Sequence, residues 1–98
     1  DEAYLRALGG ALERVTEFQP ELVLYLSGAD PLQSDTLGRL SLSLAGLEQR
    51  DRMVLRLCRC RSIPVSIAAG GGYADPITDS VAAYTNTFRV AREVFNGV

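Results

Sequence analysis

The sequence predicts an α/β fold built on parallel strands, and three observations predict it. Two short apolar runs, LVLYL at 22–26 and PVSIA at 64–68, are too short for ordinary helices and read as strands. A helix-length amphipathic segment joins them, and a crossover of that length makes the two strands parallel, with a right-handed connection. Each run ends in a loop rich in Gly, Asp and Pro.

Taken in order, residues 2–18 repeat Leu5, Leu8, Leu12 and Val15 at helical spacing, weakened by Gly9 and Gly10, with Pro20 marking the turn that follows. The first strand is expected to be buried on both faces, because its apolar run is continuous. Ser43 is the expected N-cap of a second helix reaching about Arg61. Its inner stripe is predicted to be Leu44, Leu47, Val54, Leu57 and Cys58, with Arg50, Arg52, Arg56, Arg59 and Arg61 on a solvated face. After the second strand, Asp75 and Pro76 are expected to be N-cap and first residue of a third helix. Ile77, Val81, Tyr84, Phe88, Ala91 and Phe95 give that helix the cleanest periodicity in the chain. The order is therefore α-β-α-β-α. Two parallel strands cannot hide both faces of a sheet, so the pattern asks for more sheet than these 98 residues contain. With a chain that starts at Asp1, this leads us to expect a piece of a larger domain, residues 1–98 forming its C-terminal part.

Composition narrows the function classes. A hydrophobic fraction of 47% and a charged fraction of 22% are those of a globular protein. A net charge of −2 gives no electrostatic reason to expect nucleic acid or an anionic membrane as partner. No apolar run approaches the roughly 20 residues of a membrane span, and no targeting signal is visible, so the cytoplasm is the default expectation. Cys58 and Cys60 diverge on a helix, which argues against a shared metal or disulfide and places Cys58 inside and Cys60 outside. All ten basic residues are arginine, and there is no histidine. A hydrolase of this size without the commonest acid–base group and metal ligand would be chemically odd. If the chain serves an enzyme, the histidines lie elsewhere.

Ligands of open parallel sheets bind beyond the carboxyl ends of the strands, where both unusual loops lie. In the first, Asp30 could offer a carboxylate to a hard or borderline cation. Asp-Pro is also a turn signal, and spacing alone favours the turn. In the second, three glycines precede Tyr73, whose hydroxyl could donate to a developing oxyanion. The bland alternative is a half-buried aromatic closing the strand. A phosphate cradle is disfavoured because Asp75 would repel the anion. A non-enzymatic α/β module that binds a small ligand or partner through the same loops is the competing reading.

The two loops in this order carry a resemblance. The run GADPLQSDTLGRLSLSLAGLEQRD followed by IPVSIAAGGGY resembles the C-terminal part of the histone deacetylase superfamily, in particular class IV enzymes and their bacterial relatives. The features are a strand-end GxD, a second Asp five residues on, Leu-Gly, and a strand ending in Gly-Gly-Tyr. The resemblance implies an arginase/deacetylase-like three-layer fold and a zinc-dependent amidohydrolase acting on acylated lysine or a related small acyl amide. Asp30 matches the family's last zinc ligand, and Tyr73 its carbonyl-binding tyrosine. Leu37 matches a position lining the acyl tunnel, and Gly71 and Gly72 the glycines beside the tyrosine. Asp35 matches an aspartate that holds the turn. The family's other two zinc ligands and its catalytic histidine pair lie upstream in relatives and have no counterpart here. One carboxylate does not make a zinc site, so these residues alone are expected neither to bind zinc tightly nor to deacylate a substrate.

Overall fold

The computed structural model describes residues 1–97 and has the predicted element order: α1 (Glu2–Phe18), β1 (Val23–Leu26), α2 (Leu44–Cys60), β2 (Val65–Ala68) and α3 (Thr78–Asn96). The fold is α/β, with β1 and β2 paired in parallel, Val23 opposite Val65 and Leu26 opposite Ala68. Ser43 caps α2 as its sequence position predicts, accepting the Gly46 amide at 3.0 Å. Asp1 supports that cap from the start of α1, taking both the amide and the hydroxyl of Ser43. A side chain on Gly46 would collide with the Asp1 carboxylate.

The sheet departs from expectation in one respect. Leu24 (77% exposed) and Leu26 lie open, while Val23 and Tyr25 are half-buried on the other face. A strand buried on both faces needs cover on both, and the helices among the described residues cover one. The covered face meets α2, which carries the largest buried side chains, Leu47 and Leu55, with Val54 and Cys58. Cys58 is buried and Cys60 exposed, as predicted. Burial pushes the Cys58 thiol pKa up, so it behaves as a small apolar residue.

Arg50 is a correction. It is not on a solvated face: it is 5% exposed, and Asp51 beside it is fully buried. The steps from Leu47 to Arg50 and Asp51, then to Val54, Leu55 and Cys58, are the three and four of a single helical face. An inner stripe that runs from Leu47 straight to Val54 omits a turn of the helix that must also point inward. Charge at that turn is tolerated because it is saturated. Asp51 accepts from the Tyr25 hydroxyl, the Thr87 hydroxyl and Arg50. Burial, partly opposed by the Arg50 charge, pushes the Tyr25 phenol far above its ordinary range, so it stays a donor.

The third helix brings one further correction, at its start, and a packing face that periodicity left open. Its buried face is Ser80, Ala83, Thr87 and Val90, small residues that pack against α2. The large apolar stripe is turned outward: Ile77, Val81, Phe88 and Phe95 are all exposed. Periodicity identified the helix but not the face that packs, since the α2–α3 seam is set by small side chains and by the Thr87 bond to Asp51. Asp75 and Pro76 do not cap the helix; the N-cap position is Ile77, without a side-chain cap bond. Asp75 is instead drawn to the first loop, its amide donating to the Ser34 carbonyl at 2.9 Å, next to an antiparallel bridge between Asp35 and Ala74.

Candidate active site

Parallel pairing brings both strand ends to one edge, and the pairing continues into the loops. The Ser27 amide donates to the Ala68 carbonyl and the Ala29 amide to the Gly71 carbonyl, each at 2.9 Å. Further along, the amide and hydroxyl of Thr36 both donate to the Tyr73 carbonyl, again at 2.9 Å. The loops carrying Asp30 and Tyr73 are therefore zipped together by backbone bonds.

Asp35 is the central fastening. Its Oδ2 accepts the Tyr73 amide at 2.7 Å, and its Oδ1 accepts the amides of Leu37 at 2.9 Å and Gly38 at 2.7 Å. The Tyr73 bond first, then the other two, hold this carboxyl below the usual carboxylate range. The resemblance gave Asp35 a role within its own turn. It also grips the second loop.

These contacts leave Asp30, Leu37 and Tyr73 exposed around one cavity of about 440 Å³, within the roughly 300–1,000 Å³ of small-molecule sites. Tyr73 is clamped through its backbone, while its ring, 58% exposed, stands at the rim. Gly71 lies between the two candidate groups. A Cβ built on it would sit 3.9 Å from Asp30 Oδ1 and 3.9 Å from Tyr73 Cε2. Gly72 does not line the cavity; its Cα faces α3, where an added Cβ would press on Ser80 Oγ at 3.2 Å.

Three residues not assigned to the site from sequence also shape it. Tyr4 of α1 and Arg50 of α2 line the cavity. Tyr84 of α3 ties down the glycine loop, its hydroxyl donating to the Gly71 carbonyl at 2.6 Å and accepting the Gly70 amide at 3.0 Å. Tyr84 stood in the α3 apolar stripe, and its hydroxyl was the signal that set it apart. Nothing in the helical repeat of α1 distinguished Tyr4.

A family model for the histone deacetylase domain matches residues 1–88. The chain belongs to the histone deacetylase family. It is 38% identical over 97% of its length to an uncharacterised protein of Picosynechococcus, and 44% identical over 82% of its length to histone deacetylase 2 of Arabidopsis thaliana. Histone deacetylase 6 of the same plant is 35% identical over 74% of the chain. The chain spans 32%, 22% and 15% of these three relatives, about a third of their length or less.

Histone deacetylases are generally metal-dependent, which sets a test for the residues present. Among the described residues no group of three or more His, Cys, Asp or Glu is placed to hold a metal ion. Asp30 fits one ligand position by chemistry and exposure, but a catalytic zinc needs about three protein ligands. The donor set here is incomplete.

Proposed function

We propose that this chain is the C-terminal part of a zinc-dependent amidohydrolase that removes acyl groups from acylated lysine or related acyl amides. The observation that carries the proposal is the meeting of an exposed carboxylate, Asp30, and an exposed phenol, Tyr73, around one cavity at the ends of two parallel strands, with Gly71 close to both. Membership of the histone deacetylase family supports the reaction class.

In this reading Asp30 holds the metal together with ligands from elsewhere in the full-length protein. Zinc bound there supplies Lewis acidity toward the acyl carbonyl and the attacking water. Tyr73 donates its hydroxyl to the carbonyl oxygen and holds that bond as negative charge develops, a contribution of about 10²–10³-fold in rate for one such donor. Its backbone bonds to Asp35 and Thr36 fix the point from which the ring extends into the cavity rim. Leu37 and Gly71 border the space left for the acyl chain.

The test separates the two roles. In the full-length protein, Tyr73→Phe is expected to lower turnover by about 10²–10³-fold with zinc content unchanged. Asp30→Ala is expected to lose both zinc and turnover. Equal zinc loss in the two variants, measured by elemental analysis, would contradict the assignment.

A further inference from the structure

Arg50 belongs to neither loop, yet it reaches the one between β1 and α2 at the Gly28 carbonyl. Its Nε and Nη2 donate to Asp51 Oδ1 at 3.1 and 2.9 Å, and its Nη1 donates to the Gly28 carbonyl at 2.6 Å. The guanidinium also stands over the Tyr25 ring, 5.8 Å from its centre. Asp51, which aims it, is itself held from β1 by Tyr25 and from α3 by Thr87. The fork is thus fixed from three elements before it touches the loop.

Gly28 is where that rigidity is delivered. A Cβ on Gly28 would overlap Asp30 Oδ1, so the Asp30 carboxylate rests directly on the Gly28 backbone. A Cβ on Gly70 would lie 2.9 Å from the Gly28 Cα, so the glycine loop also packs closely against it. The Gly28 backbone therefore lies in direct contact with the Asp30 carboxylate. Buried ion pairs bring little net stability over apolar replacements, so stability alone does not account for a guanidinium at this place.

We propose that Arg50 is a positioning residue for the Asp30 carboxylate, acting through its bond to the Gly28 carbonyl. The consequence for metal binding rests on the reading of Asp30 as a ligand. Arginine is required because a planar fork serves Asp51 and Gly28 together, which a single ammonium does not do.

The test uses the full-length protein with Arg50→Lys, which keeps a charge opposite Asp51. Arg50→Gln is run beside it, so that a folding failure of one leaves the other to decide. In the metal-free protein, hydrogen exchange of the Ala29 amide is expected to accelerate at least about tenfold while amides inside α2 keep their protection. Zinc affinity, read by competition with a chelator, is expected to fall about 10–100-fold. Thr87→Val removes a partner of Asp51 without touching Gly28. It is expected to lower the melting temperature while changing Ala29 exchange and zinc affinity less than either Arg50 variant does, because Tyr25 still holds Asp51. Arg50 variants that lower only the melting temperature, with Ala29 exchange and zinc affinity within about twofold of wild type, overturn the proposal. If the wild-type protein takes up no zinc at this site, the ligand reading of Asp30 falls. Ala29 exchange then decides the positioning role alone: acceleration supports it, and no change overturns it.

Discussion

At the cavity rim, Asp30, Leu37 and Tyr73 are exposed, and their loops are held by backbone bonds and by the side chains of Asp35, Tyr84 and Arg50. In the seam between α2 and α3, Asp51 is fully buried and accepts from Tyr25, Thr87 and Arg50. Both regions are organised around a carboxylate, but only the buried one is consumed by its neighbours. Asp35 stands between the two cases, buried and fully engaged, yet engaged with backbone amides of the loops rather than with side chains of the core. A group that must meet a ligand is kept open, and its position is enforced by residues that do not meet it. Loss of a seam residue should therefore appear first as instability, and loss of a rim residue first as lost chemistry.

The largest expected break is Asp51→Ala. It leaves Arg50 buried without a counter-charge and removes the acceptor of Tyr25 and Thr87. Removing one partner of a buried pair costs roughly 3–5 kcal/mol, and chemical denaturation of the full-length protein should show a loss of that order. A loss below about 1 kcal/mol would mean that the seam tolerates the unpaired guanidinium, and the contrast between seam and rim would fail.

The seam and the rim were unequally legible in the sequence. The order of elements followed from short apolar runs alternating with helical repeats, because those periods are local. The Ser43 cap followed for the same reason, and the two loops were singled out by their Gly, Asp and Pro content. Residues whose role depends on distant partners were not legible. Arg50 read as a surface arginine because Tyr25 and Gly28, more than twenty residues earlier in the chain, supply its setting. The α3 stripe from Ile77 to Phe95 marked a helix without showing which face packs, and the seam selected the small face of Ala83 and Thr87. Asp75 read as a cap because nothing local announced its bond to Ser34.

A subtler break is Asp35→Asn, which should separate the two loops without dissolving either. The asparagine oxygen can still accept the Leu37 and Gly38 amides, but its NH₂ then faces the Tyr73 N–H, a donor against a donor. Turnover should fall while zinc content is kept, with a smaller drop in melting temperature than for Asp51→Ala. Its pH dependence has a definite sign. The folded-state pKa of Asp35 is lowered, so its contribution is fully present above the ordinary aspartate value and is lost as pH falls through the folded one. The difference in melting temperature between wild type and Asp35→Asn should be flat from pH 5 to 8 and shrink only below about pH 4. A difference that already shrinks between pH 7 and 5 would assign the effect to another group.

The smallest effect belongs to the outer edge of the same seam, where Glu48, Arg52, Arg89 and Glu93 form a ring of ion pairs between α2 and α3. Arg52 meets Glu93 at 2.9 Å, Arg89 meets Glu93 at 2.8 Å, and both arginines reach Glu48. The bonds from Arg52 and then Arg89 hold the Glu93 carboxyl below its ordinary value. These side chains are a fifth to just over a third exposed, so water and salt screen them, whereas Asp51 is fully buried. Arg89→Gln should lower the melting temperature least of the variants considered, and the deficit should diminish as salt rises from 0.05 to 0.5 M. The deficit of Asp51→Ala should be nearly indifferent to the same change. If both respond to salt alike, Asp51 is reached by solvent and the two parts of the seam are not distinct. If neither responds, the outer ring acts through packing of its aliphatic stems, and Arg89→Met should then restore the wild-type melting temperature.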